Sequence, residues 1–364
     1  MAGVGGGLVA VSPATSAFAG AANDQVTVGS SLNPSVFGDR VTFAANVAGA
    51  GTPTGSVTFT YTNGYNGPNI FTPTCAETGS NSVPLDAKGN ASCTPTKAIL
   101  GGADTVTASY GGDGTFIANS GSVSQNVNAR PTTATITDNG PNPSSYGQAV
   151  SFTGTVVPQT TTVQQASIVP APTNALRLFS NGFTPANVVN DCRDAFVSTT
   201  GSTTGATCQT KQLAPGKDSV GFYYEGDGNY LASPLSSTVP QTVGKSGTTT
   251  GLVDNGPNPS GVGQAVKFTA TVTPNPSVGT APTGTVTFSS GGSSLCTTPV
   301  STSGGVTTAT CTTKDLPLGT DYVTATYSGD VNYSGSTSKP VSQSVSLLST
   351  LLGLVGGVLG VLTP

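Results

Sequence analysis

One phrase returns three times in this chain, and its return fixes most of what the chain can fold into. Asp138, Asn139, Gly140, Pro141, Asn142, Pro143 and Ser144 recur as Asp254, Asn255, Gly256, Pro257, Asn258, Pro259 and Ser260, with a shorter form at Leu32, Asn33, Pro34 and Ser35. A glycine follows each (Gly38, Gly147, Gly263), and behind it apolar residues fill every second position. In the first copy these are Val41, Phe43, Ala45 and Val47. They correspond to Val150, Phe152, Gly154 and Val156, and to Val266, Phe268, Ala270 and Val272. A period of two predicts a half-buried strand, because successive side chains leave a strand on opposite faces.

Two further patterns repeat in step. Val57 with Phe59 and Val286 with Phe288 have a looser counterpart in Leu176 with Leu178. Val106, Ala108 and Tyr110 return as Val220, Phe222 and Tyr224 and as Val323, Ala325 and Tyr327. A Gly-Asp turn follows each, at Asp113, Asp227 and Asp330, spacings of 114 and 103 residues. A last strand comes near Val123 to Val127, Val239 to Val243 and Val341 to Val345. Each copy therefore offers about seven short strands with Gly and Pro turns and no amphipathic helix, which argues for a sandwich of two antiparallel sheets. The expected division is a leader over 1–24, modules over 25–130, 131–246 and 247–346, and an apolar tail over 347–364. The short polar junctions near Ala129 to Thr132 and Gly244 to Thr248 suit a semi-extended array.

Six cysteines fall two to a copy: Cys75 and Cys93, Cys192 and Cys208, Cys296 and Cys311, separated by 18, 16 and 15 residues. In the third copy they lie in strand-like runs, Ser294 to Val300 and Val306 to Thr313, with a turn at Ser303, Gly304 and Gly305, so cross-strand pairing is expected. A closed loop of about 15 residues is worth roughly 3 kcal/mol in the chain-entropy account. Close C-x-x-C pairs of the kind a Cys-only zinc site wants are absent.

Composition removes other functions. Only 8% of residues are charged, with 12 basic against 16 acidic, and they are scattered, which gives no electrostatic footprint for nucleic acid. Histidine is absent, and with it the commonest general base and the commonest metal ligand. Ser and Thr have no base to activate them, and Asp191 and Asp194 merely flank Cys192, so no catalytic residue, cofactor or metal is expected. The small-apolar stretch Val4 to Val11 followed by Ala17, Phe18 and Ala19 fits an export signal, although no basic residue precedes it. Export supplies the oxidising compartment that disulfides need.

Pro-Thr-Gly-x-Val-Thr-Phe at Pro53 to Phe59 and Pro282 to Phe288, with Ala325 to Asp330 and then Asn332 and Tyr333, resembles the bacterial immunoglobulin-like repeat of the group 3 type. The resemblance covers about Gln25 to Ser346 and is weakest in the second copy, where the Pro-Thr-Gly phrase is missing and 158–173 is a Gln, Thr and Pro insertion. It implies tandem immunoglobulin-like sandwiches in a secreted or cell-surface stalk, spacer or adhesin, and it names no ligand. The antibody variety is not implied, since there is no Trp and the cysteine gaps are too short for a bridge between sheets.

Recognition, if present, would sit in long loops. The candidate contacts are Tyr61, Tyr65 and Phe71 in loop 61–71, and Gln164 and Gln165 in the insertion, an alternative in which the modules bind carbohydrate or protein. Expected partners are an envelope component, or a protein or polysaccharide of a host or neighbouring cell. Leu347 to Leu362 is uncharged and rich in Leu and Val, with small residues at Ser349, Gly353 and Gly357. It fits, in this order, a flexible apolar tail, a membrane- or envelope-associating helix, or a self-associating helix.

Overall fold

A computed structural model of the chain describes residues 24–63, 70–160, 168–275 and 280–347. Among them every regular element is a strand except two 3-10 turns, Pro185–Asn187 and Asn190–Cys192. The alternating segments form the strands Phe43–Ala48, Val150–Pro158 and Val266–Asn275. Their predicted inward residues are buried, with Phe43, Phe152 and Phe268 no more than 2% exposed.

Six sheets result. Residues of the first copy form a sheet ordered Gln25–Ser30, Phe43–Ala48, Asn90–Cys93. They also form a six-stranded sheet built on Asn119–Asn128, Gly102–Tyr110 and Ser56–Asn63. In the second copy the sheets are Thr132–Gly140, Val150–Pro158, Thr203–Thr210, Ser198–Thr200, and Ser144–Ser145, Val239–Gly244, Gly216–Tyr224, Ala175–Ser180, Ala195–Phe196. In the third they are Gly247–Asp254, Val266–Asn275, Val306–Thr313, Ser301–Ser303, and a six-stranded sheet running Ser260–Gly261, Val341–Ser346, Gly319–Tyr327, Thr285–Ser290, Ser293–Pro299, with Ser336–Thr337 also paired to Gly319–Tyr327. The paired sheets bury their facing apolar rows as immunoglobulin-like sandwiches do. By compactness the chain divides into two units. One holds residues up to Thr132 with Pro158–Pro172 and Gly226–Ala232, and the other holds Thr133–Val157, Thr173–Glu225 and Ser233 onward.

The cores of the copies are the same positions filled differently. Phe59 lies opposite Ala108, and Phe288 opposite Ala325. In the second copy Leu178 lies opposite Phe222. Gly154 replaces the alanine of the other two copies at this level. A Cβ built there would sit 2.7 Å from the Phe222 ring and 2.8 Å from Leu176. The smaller strand residue makes room for the larger ring, a volume-conserving exchange of the kind cores tolerate.

The Asn-Pro phrase has a structural task. Asn33 Nδ2 donates to Ser124 O at 2.6 Å and its Oδ1 accepts from Asn126 N at 3.0 Å. Asn142 does the same with Pro240 O and Thr242 N, and Asn258 with Ser342 O and Ser344 N. The side-chain amide thus imitates one rung of a strand ladder on the last strand of each copy. Gln125, Gln241 and Gln343, all fully buried on those last strands, complete the joint. Gln343 Nε2 donates to Pro257 O, Ser260 Oγ and Ser344 O at 2.9 to 3.2 Å, and Gln241 makes the equivalent three bonds to Pro141, Ser144 and Thr242.

The predicted cysteine pairs form: Cys75 with Cys93, Cys192 with Cys208, Cys296 with Cys311. Their placement corrects the sequence reading. Cys296 is on Ser293–Pro299 of one sheet and Cys311 on Val306–Thr313 of the other, so this disulfide does join two sheets. The Gly304–Gly305 turn instead closes the hairpin between Ser301–Ser303 and Val306–Thr313. A short gap suffices because the chain crosses from sheet to sheet at the edge of the sandwich, where the Cα atoms are 6.2 Å apart against roughly 10 Å between sheet centres. The second cysteine of each pair occupies a common place, opposite Phe43, Phe152 or Phe268.

Candidate functional site

The polar residues that repeat are those a binding or metal site would draw on, so what they touch decides what they can do. In the Gly-Asp turns, Asp113 Oδ1 accepts from the N–H groups of Thr115 and Phe116, and its Oδ2 accepts from Thr54 N and Oγ1. Asp330 repeats this with Asn332 and Tyr333 on one oxygen and Thr283 and Tyr327 Oη on the other. Asp227 Oδ1 likewise accepts from Asn229 and Tyr230. The N–H groups of Phe116 and Thr115, followed by that of Thr54, hold the Asp113 carboxyl far below the ordinary carboxylate range. For Asp330, burial opposes ionisation, and the N–H groups of Thr283, Asn332 and Tyr333 outweigh it. All three carboxylates close their turns, and those of Asp113 and Asp330 also tie them to the Pro-Thr-Gly segment.

A tyrosine completes the tie. Tyr110, Tyr224 and Tyr327 donate their hydroxyls to the carbonyls of Thr54, Thr173 and Thr283. Burial, followed by the nearby Asp330, pushes the Tyr327 hydroxyl well above its usual range. Thr173 exposes a second correction: the phrase missing from the second copy is present as Pro172, Thr173, Asn174. Asn174 has φ +74°, where Gly55 has +92° and Gly284 +94°. Asparagine is among the few side-chain residues that tolerate this left-handed backbone, so the turn survives the loss of glycine.

The loop residues singled out from sequence divide. Tyr61 and Phe71 face each other across the strands Ser56–Asn63 and Ile70–Phe71, with parallel rings whose centroids are 5.3 Å apart. Both are half-buried, and burial, then the charge of Asp104, raises the Tyr61 hydroxyl above its usual range. Much of the ring area expected to receive a ligand is thus occupied within the hairpin. Tyr65, Gln164 and Gln165 lie outside the described residues. The described end of the insertion is not a free loop: Ile168 exchanges backbone hydrogen bonds with Thr96 and Ala98. Asp191 accepts from Thr210, Lys211 and Gln212, while Asp194 pairs with Arg177 at 3.8 Å, so both have structural partners.

Sequence reasoning missed one surface. On the second copy a groove of about 230 Å³ is lined by Arg177, Phe179, Phe183, Val188, Arg193 and Tyr223, among others. The Phe183 ring lies 4.7 Å from both Phe179 and Tyr223, and 52% of Phe183 remains exposed. Arg177 pairs with Glu225 and Asp194. The available signal was the outward positions of two strands. They hold Thr58, Thr60 and Ser109 in the first copy and Thr287, Ser289 and Thr326 in the third, but Arg177, Phe179 and Tyr223 here.

The model of the bacterial Ig-like domain, group 3, matches residues 26–128 and 253–346, over half of the chain. The chain belongs to this group 3 immunoglobulin-like family. Membership places it among structural or adhesive domain proteins, and with the disulfides it points to an extracellular or surface protein. No curated protein matches the chain in sequence. Solved structures similar to it include the fibronectin(III)-like modules of Clostridium thermocellum CbhA, at 15% identity over 58% of this chain and 92% of that one, TM-score 0.21. Another is the three N-terminal domains of the highly immunogenic outer capsid protein of bacteriophage RB49, at 13% identity over 89% of this chain and 99% of that one, TM-score 0.24. Among the described residues no helix is long and apolar enough to cross a membrane.

Proposed function

We propose that the chain is a non-enzymatic, secreted or cell-surface protein in which three immunoglobulin-like domains, 25–130, 131–246 and 247–346, act as a stalk or spacer in adhesion. The observation that carries this reading is the repetition of one set of fastenings. Each copy has a Gly-Asp turn capped by its own carboxylate, a tyrosine tied to a Thr carbonyl, a buried Gln, and a disulfide. The recurring polar groups hold backbone in place, which is the work of a scaffold. A body that resists deformation suits a spacer outside the cell, where disulfides persist.

Protease treatment of intact producing cells, followed by detection of fragments carrying the second and third copies, tests this. Cleavage confined to the surface-accessible fraction, with all six cysteines oxidised before lysis, is the expected outcome. A protein recovered only inside the cell with free thiols would overturn it.

A further inference from the structure

The outer face of the second copy departs from its sister copies in a way the fold does not require. At matching positions the other two copies carry only Thr and Ser, the usual solvent-facing choice for a half-buried strand. The second copy places Arg177, Phe179 and Tyr223 there, and the residues between Ala175–Ser180 and Ala195–Phe196 add Phe183, Val188 and Arg193 as a rim. In the third copy two glycines, Gly291 and Gly292, make the corresponding connection. Covering Phe179, which is 5% exposed, accounts for part of the added segment, but Phe183 keeps more than half its surface in water.

Charge narrows the occupant. Two of the chain's 12 cationic side chains line this one groove. Arg177 is held by Glu225 and Asp194, whereas the exposed Arg193 guanidinium forms no ion pair with a described residue. A cationic fork left unpaired beside aromatic rings matches a ligand with one apolar face and one carboxylate. The volume of about 230 Å³ lies below the roughly 300–1,000 Å³ of drug-sized pockets, which suits a single ring.

We propose that this groove binds one uronic acid unit of an acidic glycan. The C–H face of the sugar lies on Phe183 and Tyr223, and its carboxylate pairs with Arg193. The proposal is independent of the spacer reading, which stands whether or not a sugar binds.

Isothermal titration of the full chain with digalacturonic acid, and with maltose as a neutral counterpart, tests it. Digalacturonic acid is expected to bind with millimolar affinity or better, about tenfold or more above maltose. Arg193→Gln should remove that preference, and Phe183→Ala should weaken both sugars by about tenfold. Both side chains are exposed, so unchanged melting temperatures would show that the variants fold; Tyr61→Ala, on the other aromatic pair, should bind as the parent does. Absence of binding at several millimolar, equal affinity for the two sugars, or full binding by Phe183→Ala would each overturn the proposal.

Discussion

The second and third copies bury the same row of positions and fill them in opposite order. The third puts Phe288 against Ala325 with Ala270 beside them, and the second puts Leu178 against Phe222 with Gly154 beside them. The ring has moved from one strand to its neighbour, and a methyl group has been removed to receive it. The difference teaches that the pattern of inward positions, rather than the residue at any one of them, defines this sandwich. The family match takes in the first and third copies and passes over the second.

The largest effect should come from breaking that exchange. Phe222→Ala removes a buried ring and should cost about 3–5 kcal/mol in denaturant unfolding. Gly154→Ala alone should cost about 1–3 kcal/mol, since its Cβ meets Phe222 and Leu176. The triple variant Gly154→Ala, Leu178→Phe, Phe222→Ala rebuilds the arrangement of the third copy and should recover most of the loss. Triple-variant stability equal to the sum of the single losses would mean the three positions do not act together.

Next come the disulfides. Serine at both Cys296 and Cys311 should destabilise by about 3 kcal/mol, and serine at both Cys192 and Cys208 by about the same, because the closed loops differ by one residue. Thermal unfolding of the two variants would sharpen the comparison. A much smaller loss in the second copy would place Cys192 in a segment that opens independently of its sheets.

Gln241→Leu and Gln343→Leu should each cost about 1–3 kcal/mol, since each strands buried acceptors. Equal costs would show the latch is common to both copies. Gly284→Asn should destabilise by about 1 kcal/mol, since a Cβ there lies 2.8 Å from Gly329 O, whereas Asn174→Gly should change stability by a few tenths.

The smallest effect concerns pH. The Asp113 and Asp330 carboxyls titrate lower in the folded chain than the ordinary value of about 4. Their contribution is therefore present above about pH 4 and is lost as pH falls below it. Tyr327 runs the other way: its folded value is raised, so its contribution is intact below about pH 10 and is lost as pH climbs past that. Asp330→Asn should flatten the acid side of the stability profile measured by denaturant midpoint.

Much of this was legible in the sequence. The inward rows, the Gly-Asp turns and the cysteine partners follow from period two and from repetition, because burial on one face and turn geometry act on local sequence. Other features were hidden for definite reasons. Gln125, Gln241 and Gln343 alternate in phase with the buried valines of their strands, but a polar side chain on an inward row gives no sign of its partners until the Asn-Pro segment is folded over it. Pro172, Thr173 and Asn174 escaped because asparagine replaced glycine while keeping its φ. The sheet to which Ser293–Pro299 belongs is set by where the chain crosses over, a long-range event with no local signature. The groove escaped because Phe179 and Tyr223 stand next in sequence to inward residues, and only the strand register shows that Arg177, Phe179 and Tyr223 share the outward face.

The central claim is that each copy is a sandwich closed by its own pair of sulfurs. Peptide mapping by mass spectrometry without reduction, with alkylation at low pH to prevent exchange, tests it most directly. The account predicts three linked peptide pairs, Cys75 with Cys93, Cys192 with Cys208 and Cys296 with Cys311, and no free thiol. A linked pair drawn from two different copies would contradict it.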